Sequence, residues 1–151
     1  MSACIFVASN LPLEEHHPSK NFPIQIDLQN NTCFDGNADD NFFLETFQGV
    51  DVYTGKTHGV CLQWIYTDGR AKQLVDYLKN GVEQSGVVEL WHVWLDDYYE
   101  FETRPFVHKQ TMQIDSLTID NIKEICQAQI WNSPDKQHPQ RPSFYCLELT
   151  K

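Results

Sequence analysis

The run Val87–Leu95 places the strongest constraint on the fold. Trp91, Val93 and Leu95 alternate there with Leu90, His92 and Trp94, so a strand over these residues is apolar on both faces. A two-layer sheet would leave one of those faces wet. The chain therefore has to cover this strand from both sides. Three more runs rich in branched or aromatic residues read as strands, at 60–66, 105–114 and 143–149.

Two helices fall between these strands. Ala71, Leu74, Val75, Leu78 and Val82 recur at three- and four-residue spacing over 70–84, with Lys72, Asp76, Lys79 and Glu83 on the opposite side. Thr67 and Asp68 can accept from the first free N–H groups, and Gly86 ends the helix. A second helix is signalled by Thr118 as N-cap, by Leu117 and Ile122 placed to form a hydrophobic staple, and by Asp120 in the first turn. It shares a face through Ile122, Ile125, Cys126 and Gln129 and fades near Ile130. Pro134, Pro139 and Pro142 keep 132–142 irregular.

The order β-α-β-β-α-β predicts an α+β fold with a ferredoxin-like core over 60–149, two helices covering one face of a mainly antiparallel sheet. Candidate strands at 4–8, 24–28 and 42–47 form an N-terminal β extension over 3–54 that covers or extends this sheet. The 151 residues, 41% hydrophobic, suffice for one core and are read as a single domain, 1–151.

Charge narrows the function classes. There are 21 Asp and Glu against 11 Lys and Arg, a formal −10, and no three basic residues cluster, so neither nucleic acid nor an anionic membrane is an expected partner. The acids concentrate in two windows without any base. Asp27, Asp35, Asp39, Asp40, Glu45 and Asp51 lie between Lys20 and Lys56; Glu83, Glu89, Asp96, Asp97, Glu100 and Glu102 lie between Lys79 and Arg104. Such windows are either solubilising surface or attract a basic protein. The five cysteines are widely spaced with no C-x-x-C pair, which reads as free thiols in a reducing compartment, and a cytoplasmic location is expected. The apolar run at 3–8 lacks a basic flank and is too short for a signal peptide, and no run reaches the ~20 residues of a membrane helix.

The densest chemistry lies in HVWLDDYYEFETRPFVH, from His92 to His108. A hairpin centred on Glu100 would set the two imidazoles opposite each other, about 5 Å apart at Cβ. Such a pair has three readings: structural histidines, metal ligands completed by Asp96 or Asp97, or the base of a small hydrolase or metal-dependent enzyme. No nucleophile motif accompanies them, so no catalytic residue is assigned beyond these two candidates, and no metal or other cofactor is expected. The run Asp35-Gly36-Asn37-Ala38-Asp39-Asp40-Asn41 fails the spacing of an EF-hand and reads as a turn. No glycine pattern supports a phosphate loop.

Asp96, Asp97, Tyr98, Tyr99, Glu100, Phe101 and Glu102 interleave carboxylates with aromatic anchors, which suits a binding surface for a basic protein. A small-molecule site on the sheet face is a further alternative. The segments LWHVWLDDYYEFETRPFVHK, ADDNFFL, TDGRAK and RPSFYCLEL resemble an uncharacterised family of small acidic bacterial proteins. That resemblance implies a bacterial, cytoplasmic origin and brings no activity or site residue. In size, acidity and aromatic content the chain is also similar to immunity proteins that neutralise toxins. The expected function is thus a non-catalytic, immunity-like protein-binding module, either monomeric or homodimeric.

Overall fold

Val87–Leu95 lies in the interior of a six-stranded sheet, between two strands that are themselves apolar on both faces. The computed structural model describes residues 2–17, 25–34, 44–63, 66–95, 105–127 and 143–151. Its elements in chain order are β1 (Ser2–Ser9), β2 (Gln25–Asp27), β3 (Thr32–Phe34), β4 (Leu44–Thr46), β5 (His58–Leu62), α1 (Asp68–Ser85), β6 (Val87–Leu95), β7 (Val107–Gln113), α2 (Ile119–Gln127) and β8 (Phe144–Thr150). The main sheet has the order β4-β5-β1-β6-β8-β7, and β2 pairs with β3 in a separate hairpin.

The fold is α+β, but the sheet is mixed and its order is not ferredoxin-like. β6 and β7 were expected to form the central hairpin. Instead β8 enters between them, antiparallel to β6 and parallel to β7. β1 likewise separates β5 from β6, pairing antiparallel with both. Side-chain chemistry accounts for the correction. β8 buries Phe144 and Cys146 on one face and Tyr145, Leu147 and Leu149 on the other, so placing it at an edge would expose apolar surface. β7 reads Val-His-Lys-Gln-Thr-Met-Gln and is half exposed, so it takes the edge, where polar side chains cost little.

The two faces are covered by different means. On one side α1 and α2 pack Leu74, Leu78, Val82, Ile122 and Ile125 against Val7, Leu90, Leu147 and Leu149. Thr67 caps α1 by accepting from the Arg70 N–H at 3.3 Å, and Gly86 closes it at φ +82°. At the start of α2 the Asn121 carboxamide oxygen accepts from both the Thr118 backbone N–H and its hydroxyl, each at 2.9 Å. This is the reciprocal half of a capping box, with Asn in the place usual for Glu or Gln.

On the other side no helix is present among the described residues. A 3-10 turn, Val50–Val52, lays Phe47, Val50 and Tyr53 over Phe6, Trp91 and Phe144. The Phe6 ring stacks on Trp91 at 5.9 Å, and Tyr53 meets both Phe6 at 5.5 Å and Phe144 at 5.7 Å. Residues from the N-terminal third thus supply an interior strand, an edge strand and the cover of this face.

Gly59 lets that cover sit close. A Cβ built there would lie 3.0 Å from both Cβ and Cγ2 of Val50 and 3.4 Å from the Val7 carbonyl oxygen, whereas one built at Gly55 meets nothing within 4 Å. Gly59→Ala should therefore lower unfolding free energy by about 1–3 kcal/mol through overpacking. Gly55→Ala should change it by less than about 0.5 kcal/mol. Urea denaturation of the two variants compares them directly; equal midpoints would contradict the close approach.

Candidate functional site

The two histidines are brought into one row but not into contact. In register, His92 of β6 faces Tyr145 of β8, and Tyr145 faces His108 of β7. Two strand spacings separate the imidazoles, about 10 Å. The Tyr145 ring fills the gap, stacked on His108 at 5.1 Å and inclined to His92 at 6.1 Å. The expected hairpin register is overturned by the same strand insertion that overturns the expected sheet order. A metal bridging both rings would require donors within about 2 Å of the ion. Among the described residues no group of three or more His, Cys, Asp or Glu is placed to hold a metal ion.

The environments of the two rings also differ. His92 is 3% exposed and its Nδ1–H donates to the Ile125 carbonyl oxygen at 2.7 Å. Burial pushes its pKa down, opposed in part by that hydrogen bond. His108 is half-buried at the edge and meets Phe106 edge-on at 4.7 Å.

A charged cluster that sequence reasoning missed occupies the opposite face. Glu89, only 5% exposed, lies directly across from Glu148. The Thr54 hydroxyl donates to Glu89 Oε2 at 2.6 Å and the Trp91 Nε1–H donates to the same atom at 2.8 Å. Lys109 then reaches over from β7, 2.8 Å from Glu148 and 3.9 Å from Glu89. Hydrogen bonding to Glu148 raises the Lys109 pKa and lowers that of Glu148, so both stay ionised near neutrality. Opposed carboxylates repel, and the ammonium between them offsets this. The signal was a lone glutamate inside the apolar run Val87–Leu95.

Three of the described thiols are the opposite of activated. Burial pushes Cys4 and Cys126 up to about 12 and Cys146 higher still, whereas a reactive cysteine needs a depressed value.

One exposed apolar feature stands apart from the sheet. In the β2–β3 hairpin Asp27 Oδ1 accepts from the backbone N–H groups of Gln29 at 3.0 Å and Asn30 at 3.3 Å, while Oδ2 accepts from the Asn30 carboxamide at 2.8 Å. These bonds, the Asn30 side chain first, hold the Asp27 carboxyl below its usual range. Asn31 completes the turn at φ 53°, a left-handed conformation that asparagine tolerates. The clamp leaves Leu28 at the tip 87% exposed and Ile26 66% exposed. Sequence reading took 24–28 as a strand and did not anticipate the turn that presents Leu28.

Asp96, Asp97, Tyr98, Tyr99, Glu100, Phe101 and Glu102 lie outside the described residues, as do Asp35 to Asn41. The strands on either side of the first of these segments, β6 ending at Leu95 and β7 beginning at Val107, have β8 between them. No helix among the described residues is long and apolar enough to cross a membrane. No family model matches the chain, and neither a curated protein nor a solved structure matches it.

Glu89 ties the cover of the second face to the sheet. Glu89→Ala should lower stability by about 2–4 kcal/mol, because it strands the buried Trp91 N–H and the Thr54 hydroxyl. Glu89→Gln keeps an acceptor for both and should lose less. Denaturation followed by Trp fluorescence separates the two; equal losses would mean that the acceptor role is not what stabilises this face.

Proposed function

We propose that this protein is a non-catalytic cytoplasmic binding module, immunity-like in character, that holds a basic protein partner on an acidic surface with apolar anchors. The observation that carries this reading is the Asp27 turn. An exposed leucine on a floppy loop would cost conformational entropy to dock, but here three hydrogen bonds to one carboxylate fix the turn. Burying a leucine side chain contributes roughly 1.5–3 kcal/mol. The same stretch of sequence is acidic: Asp27 remains ionised, Glu45 and Asp51 are exposed, and no Lys or Arg occurs between Lys20 and Lys56. An apolar pocket rimmed by lysine or arginine complements such a surface.

The second contact in this proposal is the segment carrying Asp96, Asp97, Tyr98, Tyr99, Glu100, Phe101 and Glu102. It sets carboxylates beside aromatic anchors where the turn has aliphatic ones, in the second base-free window.

Capture from native lysate of the source cell tests the proposal. The wild-type protein should retain one basic protein, with retention falling as salt rises. Leu28→Asp, and separately the triple reversal Asp96→Lys, Asp97→Lys, Glu100→Lys, should each weaken retention at least about tenfold, equivalent to ~1.4 kcal/mol, with unchanged thermal melting. Retention that survives both variants, or no basic protein retained at all, would contradict the proposal.

A further inference from the structure

The two edges of the main sheet are finished differently. At one edge lies β4, three residues long, and the chain itself closes it. His16 exchanges two backbone hydrogen bonds with Leu44, each at 3.0 Å, and the Glu15 carboxylate accepts from the Thr46 N–H at 3.0 Å and from its hydroxyl at 2.7 Å. At the other edge lies β7, seven residues long, and among the described residues no strand pairs with its outer side.

The pairing with β8 decides which groups of β7 point outward. The Phe144 N–H donates to the Phe106 carbonyl at 2.8 Å, so that carbonyl faces β8. Backbone direction alternates along a strand, so His108, Gln110 and Met112 also face β8, whereas Val107, Lys109, Thr111 and Gln113 turn N–H and C=O away from it. Edges are ordinarily guarded by shortness, proline, a bulge or a projecting charge. β7 contains no proline, and its one-to-one register with β8 over 107–113 leaves no bulge. Its single lysine, Lys109, reaches back over the sheet to Glu148 at 2.8 Å. A groove of about 490 Å³ follows the strand, lined by five consecutive residues, Phe106 to Gln110.

We propose that this edge pairs with the β7 edge of a second copy, antiparallel across a two-fold axis, joining two six-stranded sheets into one. The sequence of β7 selects both the occupant and the register. In antiparallel pairing, hydrogen-bonded partners each turn their backbone groups towards the other strand, so the partners must both come from the outward-facing set. An axis through Gln110 uses all of that set, joining Val107 of each copy to Gln113 of the other and Lys109 of each to Thr111 of the other. An axis through Lys109 would set two ammonium groups directly opposite each other, which is unfavourable. An axis through Thr111 would leave Val107 beyond the end of the facing strand. With the axis at Gln110, two carboxamides meet there, each able to donate to and accept from its twin. The formal −10 of each copy opposes self-association in general, but β7 carries no acid and Lys109 holds the nearby Glu148 carboxylate. The contact uses neither the Asp27 turn nor residues 96–102, so it stands or falls independently of the basic-partner reading.

Sedimentation velocity of the full chain from about 5 to about 500 μM, in about 150 mM salt to screen charge repulsion, tests this. The wild type should pass from monomer to dimer within that range, as suits a contact at the small end of specific interfaces. Gln110→Lys and Gln110→Glu each set like charges at the axis and should raise the dissociation constant at least about tenfold. Mixed in equal amounts they set opposite charges there and should form a heterodimer, which a folding defect could not produce. Thr111→Pro removes an outward N–H without breaking the ladder to β8 and should abolish the dimer. A wild type that stays monomeric throughout, a dimer that none of these substitutions weakens, or a mixture no more associated than its two components would overturn the proposal. Should the variants fail to fold, amide exchange on the wild type decides instead. Protection at Val107, Lys109, Thr111 and Gln113 that grows with protein concentration supports the paired edge, and exchange there that is independent of concentration overturns it.

Discussion

The entry of β8 between β6 and β7 is the constraint on which the rest of the structure depends. It follows from the side chains of Phe144–Thr150, which are apolar on both faces and can be satisfied only where strands lie on either side and layers cover both surfaces. One consequence is the single parallel pairing of the sheet, with α2 in the crossover from β7 to β8. Another is that Tyr145 falls between His92 and His108, so two rings that a hairpin would juxtapose are held a tyrosine apart. The same insertion sets Glu148 opposite Glu89 and within reach of Lys109.

Polar groups inside this sheet are few, and each is tied to an element that the sheet must hold. Glu89 binds the segment around Thr54, which covers the second face, and Lys109 closes the carboxylate pair from the edge strand. His92 binds the Ile125 carbonyl of α2 on the first face. In both cases a polar side chain on β6 meets a polar group of the covering layer, the Thr54 hydroxyl or the Ile125 carbonyl. The difference lies in what remains over. Glu89 has the Lys109 ammonium 3.9 Å away, whereas His92 keeps one nitrogen without a hydrogen-bond partner.

How much was legible in the sequence depended on whether the signal was local. The 3.6-residue stripe and the Thr67 and Gly86 boundaries of α1 are properties of contiguous residues, as is the Leu117–Ile122 staple, and helices appear where those signals lie. Most strand positions were legible for the same reason, although β3 at Thr32–Phe34 was not anticipated. Strand order was not, because it depends on pairings between residues far apart in the chain, such as Val7 with Leu90 and Lys109 with Cys146. Even so, the alternation that placed Val87–Leu95 inside also applies to Phe144–Thr150, and the polar run Lys109-Gln110-Thr111 marks β7 as an edge; comparing the two would have argued against a β6–β7 hairpin. The row joining His92, Tyr145 and His108 was hidden because it needs three strands. Glu89 was visible as a charge within an apolar run, but its partners Thr54 and Lys109 become neighbours only in the folded sheet.

The most direct measurement is of proton–proton contacts by NMR among three side chains in the folded protein. With β8 between β6 and β7, the Tyr145 ring gives nuclear Overhauser effects to the imidazole protons of both His92 and His108, and the two imidazoles give none to each other. A direct contact between His92 and His108, with Tyr145 remote from both, would restore the hairpin and contradict the strand order on which the separated histidines and the Glu89–Lys109–Glu148 cluster both rest.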